Sequence, residues 1–252
     1  MFGKIVWIAV LAATLPAQSI IPAKAGLVSY ADEAYIDGRP VEISTAHFYI
    51  VNESAVLRTG AGRAEVLLGP CAAMWIDENS SVRMISARLS DIRMEVLTGS
   101  AVVAAGPLEK GTRLALLLKT SVTPLDRKGA YRFDAEPPRI KVLAGRTTVQ
   151  WANRGIPVTT GRWVPLDAEA RVRKFDKLTP DALVDWSNAR ADYLVRLARH
   201  HTGNVGEGAP AVTLADLENA RGLGTRPVEA SPQVVFPPMA NSSNAGCGVM
   251  GW

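Results

Sequence analysis

Histidine and cysteine are scarce in this chain, three and two in 252 residues, and the scarcity removes whole classes of chemistry. A zinc site needs several Cys, His or carboxylate ligands at short spacing, yet neither Cys71 nor Cys247 has a second cysteine or a histidine near it. His200 and His201 are adjacent, so on a helix their rings diverge by about 100° and do not share one ion as an i, i+4 pair does. They read as side chains set against the negative end of a helix dipole. His47 has no Ser, Cys or acid at motif spacing. There is no Gly-x-Ser-x-Gly, no phosphate loop and no His-Glu-x-x-His. Asp77-Glu78-Asn79 lacks the alternating ligands and distal glutamate of a calcium loop, which leaves a polar hairpin turn. The expectation is a non-enzyme with no catalytic residue, metal or cofactor.

A strong charge excess is also missing. The 28 Lys and Arg stand against 24 Asp and Glu, and such a balance gives no general pull toward nucleic acid or an anionic membrane. Arg171, Arg173 and Lys174 form the one tight basic cluster, read here as a solvated strand face. No apolar run is long enough to span a bilayer, which takes ~20 residues. The run Ile5 to Leu15 is short, follows the single charge of Lys4, and leads to Ala23-Lys24-Ala25 before Gly26. Charged start, short apolar core and small residues at Ala23 and Ala25 are the order of a secretory signal peptide over residues 1–25. Cleavage before Gly26 would lower the net charge from +4 to +2 and leave no spanning segment, placing the chain in the periplasm or outside the cell. Two cysteines suit an oxidising compartment without making a disulfide framework. The default for Cys71 is a small buried side chain, and its pairing with Cys247, in the tail, is left open.

What the sequence does hold is a recurring strand. Arg63-Ala64-Glu65-Val66-Leu67-Leu68-Gly69 returns as Arg93-Met94-Glu95-Val96-Leu97-Thr98-Gly99 and as Arg139-Ile140-Lys141-Val142-Leu143-Ala144-Gly145, at intervals of 30 and 46 residues. At a strand period of two, the Arg and the charged residue share one face while Ala64, Val66 and Leu68 and their counterparts share the other. Each copy predicts a half-buried strand ended at glycine, in an irregular array unlike a strict-period repeat. Arg63 and Glu65 then form a solvent-facing pair of little energetic weight, and with the motif turn of Arg58, Thr59, Gly60 and Gly62 they make up the candidate partner face.

Short β-type runs separated by turn residues continue from Leu27 to Leu166. They predict an all-β domain over 26–170, a sandwich or solenoid-like roll of stacked hairpins. Asp37-Gly38 suits a type I′ hairpin turn. Val56 to Thr59 and Arg63 to Leu68 are expected to pair across Gly60-Ala61-Gly62, with Gly60 or Gly62 at positive φ. At Thr179-Pro180-Asp181 the pattern changes: an N-cap threonine, a first-turn proline and an aspartate announce a helix. Leu183, Trp186, Arg190, Tyr193, Leu194 and Leu197 recur at helical spacing, so residues 171–202 form a strand end and an amphipathic helix packed on the β domain. The Gly, Pro, Ser and Asn of 203–252 predict a largely disordered tail, with Leu214 to Arg221 as one short helical exception.

Four segments in this order resemble the FecR-type extracytoplasmic domain: Arg58-Thr59-Gly60-x-Gly62-x-Ala64-Glu65-Val66-Leu67-Leu68, Asp77-Glu78-Asn79-Ser80-Ser81, Gly99-Ser100-Ala101 and Gly129-Ala130-Tyr131-Arg132-Phe133-Asp134. The best-known members of that family are periplasmic sensor segments of iron-uptake regulators, which pass a signal from an outer-membrane receptor to a cytoplasmic anti-sigma segment. The resemblance implies an all-β binding module with another envelope protein as partner, and it carries no ligand residues onto this chain. A signal peptide stands where those members have an anti-sigma segment and a transmembrane helix, and no cluster of Asp, Glu, His or Cys here supports iron. The resulting expectation is an exported protein-binding or sensory module. The alternative is a structural protein bound to cell-wall glycan through Trp151 and Trp163.

Overall fold

The computed structural model describes residues 24–44, 49–69 and 71–201, the side chains of 197–201 excepted. Its strands form two nine-stranded sheets. With strands numbered in chain order, the first sheet runs β18 (Arg173–Lys174), β17 (Arg162–Pro165), β14 (Pro138–Ala144), β13 (Gly129–Ala135), β10 (Ser100–Ala105), β7 (Ala72–Ile76), β6 (Ala64–Gly69), β1 (Leu27–Ala31), β4 (Tyr49–Ile50). The second runs β16 (Arg154–Thr159), β15 (Arg146–Trp151), β12 (Ser121–Pro124), β11 (Leu114–Leu118), β9 (Asp91–Thr98), β8 (Ser81–Arg88), β5 (Val56–Thr59), β2 (Ala34–Ile36), β3 (Arg39–Pro40). Both orders follow the chain almost monotonically. The chain lays a strand or hairpin in one sheet, crosses to the other and advances, which is the stacked-hairpin roll that the spacing of turns predicts. Neighbours are antiparallel except β9 and β11, which run parallel.

Alternation within the strands builds the core. Val66, Leu68, Met74, Ile76, Phe133 and Ile140 of the first sheet and Leu57, Val82, Met84, Met94, Leu114 and Leu116 of the second are buried in one cluster between the sheets. The repeated strand keeps the pattern through its first two inward positions in each copy, while Thr98 is exposed, Ala144 is half-buried at the strand end, and Gly69 lies within β6. Ala64, Val66 and Leu68 on β6, Met94 and Val96 on β9, and Ile140 and Val142 on β14 point inward, and Gly99 and Gly145 end their strands at positive φ. Asp37 and Gly38 both have positive φ, as a type I′ turn requires, and close the hairpin of β2 and β3.

The first sheet is covered on its second face as well. Helix α1 (Ala182–His201) lays Leu183, Trp186 and Ala191 on Ala73 and Trp75 of β7 and on Val102 and Ala104 of β10. This double coverage leaves β7 buried along its whole length. Leu194 packs at the margin of the cluster and Tyr193 stacks on Arg190, whereas the Leu197 side chain lies outside the described residues. The helix starts later than the sequence signals imply, for Asp181 Oδ1 accepts the Val184 N–H and takes the N-cap role expected of Thr179.

Three further expectations are corrected. Strands β5 and β6 do not pair: β5 bonds β2 and β8 in the second sheet, and β6 bonds β1 and β7 in the first. Gly60-Ala61-Gly62 is therefore a crossover between sheets, and neither of its glycines has positive φ. Cys71 is half-buried and disulfide-bonded; the other cysteine, Cys247, lies outside the described residues. Ala23, His47 and the tail 203–252 also lie outside them. Ala25 and Gly26 are built into the fold: Ala25 is 2% exposed, its N–H bonds Ala87 O, and Gly26 N–H bonds Leu67 O.

Candidate functional site

The four segments that carry the family resemblance, spread over residues 58–134, meet along one hydrogen-bonded seam. Thr59 Oγ1 donates to Asp77 O at 2.5 Å and accepts the Ser80 N–H at 3.0 Å. Ser80 Oγ accepts the Ser100 N–H at 3.0 Å, and Ser100 Oγ donates to Asp134 Oδ1 at 2.8 Å. The Gly60 N–H bonds Glu33 O, and the Asn79 N–H bonds Gly60 O. Gly62 is required by proximity, since a Cβ there would lie 2.2 Å from Asp32 O. Short hydroxyl side chains thus satisfy the backbone groups of three turns where the chain changes sheets, which orphaned donors and acceptors would otherwise make costly.

Two ion-pair sites fasten α1 across this seam. Glu65, expected to face solvent, is 0% exposed beneath the helix. Its carboxylate accepts from Arg190 Nε at 3.0 Å and Nη2 at 2.9 Å, from Trp75 Nε1 at 2.7 Å and from Ser29 Oγ at 2.6 Å. The Arg190 guanidinium lies 4.9 Å from the ring centroids of both Tyr30 and Tyr193. Burial would lower the pKa of Arg190, but Glu65 outweighs it and raises it. Burial and nearby Asp32 raise the Tyr30 hydroxyl. At the other site Arg132 bridges Asp134 and Asp181, while Arg139 Nε reaches Asp134 Oδ2 at 2.7 Å. Burial pushes the Asp134 carboxyl upward, and Arg132 together with hydrogen bonds from Arg139 and Ser100 overcomes that to hold it below its ordinary 3.8.

The expected partner face is therefore divided. Glu65 bonds the helix, and Arg63 turns to Asp77 at 2.9 Å and Glu78 at 3.4 Å with its guanidinium 5.6 Å from the Trp186 ring. Both are inward-facing parts of the frame and not a solvent-facing pair, because α1 covers this side of β6. Arg58 alone among the singled-out charges remains at the surface. It borders a cleft of about 320 Å³ lined also by Thr59, Asn79, Ser80, Ser81 and Thr98. Ser81 Oγ and Thr98 Oγ1 bond each other at 2.7 Å, and among the described residues no imidazole or carboxylate is within hydrogen-bond reach of either hydroxyl. The cleft offers a cation and hydroxyls for holding a polar group. Of the tryptophans considered for glycan stacking, Trp151 packs against the core and donates to Asp167 O at 3.0 Å, and Trp163 carries the guanidinium groups of Arg139 and Arg173 at 5.9 and 5.4 Å from its ring centroid. Both rings are engaged within the protein. Among the described residues no group of three or more His, Cys, Asp or Glu could hold a metal ion.

Sequence reasoning missed the burial of Glu65, although a signal was present. Arg190 stands in the apolar stripe of α1, where an unpaired cation would be untenable.

No family model matches this sequence, and no curated protein matches it significantly. Among solved structures it is similar to two from Parabacteroides distasonis ATCC 8503, each described as a "putative anti-sigma factor". One has a TM-score of 0.42 at 9% identity, covering 57% of this chain and 72% of that one. The other has a TM-score of 0.40 at 12% identity, covering 68% and 93%.

Proposed function

We propose that this chain is an exported, non-enzymatic binding or sensory module of the FecR type, acting by protein contact in the cell envelope. One observation carries the reading: the Thr59, Ser80, Ser100 and Asp134 seam joins all four segments on which the FecR resemblance rests. These four segments thereby form a framework, and recognition falls to what the framework leaves outside, Arg58 and its cleft. The disulfide at Cys71 supports an oxidising compartment.

The test is recovery of envelope proteins by the full mature chain, beside sedimentation with purified cell wall. Retention of one defined protein, reduced by Arg58→Glu at unchanged melting temperature, is expected. Sedimentation with cell wall, insensitive to Arg58→Glu, would replace this reading with a glycan-associated structural role.

A further inference from the structure

At the β18 edge of the first sheet, the fold gathers cations that the sequence scatters. Lys141, Trp163 and Arg173 stand in one cross-strand row, and Lys174 pairs with Arg162 beside them. The chain then turns. The Phe175 N–H bonds Gly161 O at 3.1 Å, which brings the Phe175 ring to 6.0 Å from Lys141 Nζ and lays Lys177 against Gly161. Asp176 Oδ1 accepts the Leu178 N–H at 2.9 Å, fixing a tight turn that presents Leu178 outward at 89% exposure. Arg173, Lys174 and Lys177 are exposed, and among the described residues no carboxylate lies within ion-pair distance of them. Arg171, by contrast, is held by Glu169 at 3.2 Å.

We infer that this edge is a peripheral binding surface for anionic lipid headgroups. An acidic protein would be matched by the cations alone. The exposed Leu178 at the tip of the same turn, with half-buried Phe175 three residues before it and half-buried Trp163 in the cross-strand row of Arg173, adds an apolar tip and interfacial aromatics, which together with basic side chains suit the headgroup and acyl boundary. A small number of cations with one inserted residue gives reversible attachment. The net charge of the whole chain is a poor guide here, because charges further away than about 8–10 Å are screened and the lipid meets only this edge. The inference does not rest on the proposed protein partner.

The experiment is sedimentation of the full mature protein with vesicles of phosphatidylcholine alone or mixed equally with phosphatidylglycerol, with no other protein present. Binding is expected only to the mixed vesicles, weakening as salt rises. Neutralising Arg173, Lys174 or Lys177 to Gln should cost about five-fold in vesicle affinity for each charge, and Leu178→Ser should weaken binding while leaving its salt dependence intact. All four positions are exposed, so unchanged melting temperatures are expected to accompany the losses. Equal binding to both vesicle types, or none to either, overturns the inference. Retention of the vesicle-negative protein on an immobilised acidic peptide, lost in the same Gln variants, would assign the edge to a protein.

Discussion

At the scale of single residues, packing distances and charge partners set the consequences of change. A methyl group at Gly62 would meet backbone, with Asp32 O at 2.2 Å, whereas at Gly69 it would meet nothing within 4 Å. Gly62→Ala should accordingly lose ~1–3 kcal/mol through overpacking, and Gly69→Ala should be close to silent in urea unfolding. Asp134 supplies a test in pH. Its folded-state pKa is held below the ordinary 3.8, so its contribution is complete above about that value and is lost as pH falls through the lower folded one. The stability gap between wild type and Asp134→Asn should be full at neutral pH and should narrow in the acid range below 3.8, measured as urea midpoints across pH.

At the scale of elements, α1 is held by an apolar stripe and by an ion pair at each of two sites. Trp186 is 5% exposed and meets Tyr30 edge to face at 5.6 Å, so Trp186→Ala should destabilise by ~3–5 kcal/mol as a buried large-to-small change. A silent variant in thermal unfolding would mean that the helix leaves the sheet in solution. The strand edges explain a different property. Among the described residues, the edge strands β3, β4 and β18 have two residues each, and β16, the one long edge, carries Pro157. Short, proline-bearing or charged edges discourage strand addition by another chain, which directs any partner toward side chains and away from open backbone.

At the scale of the whole molecule, the proposed export and the disulfide at Cys71 make joint predictions. Ala25 is buried and bonded to Ala87, so a cut between Ala25 and Gly26 has to be made before this segment enters the fold, as it is when a chain is exported unfolded. Recovered protein should begin at Gly26 by N-terminal sequencing. Denatured without reduction, the Cys71 thiol should take up no maleimide, since Cys71 is disulfide-bonded, and it should become reactive after reduction. Much of the architecture was readable beforehand because strand alternation, the Asp37-Gly38 turn and the α1 stripe are local patterns enforced by sterics and burial. Sequence by itself determined the β-rich class, the inward faces of β6, β9 and β14, and the presence of the helix. Which strands pair across a crossover depends on packing between distant residues, and so the separation of β5 from β6 was not legible. The burial of Glu65 under Arg190, 125 residues away, and the gathering of Lys141, Arg173 and Lys177 at one edge were likewise decided by the tertiary structure alone, because electrostatic surroundings are set by distance in space and not along the chain.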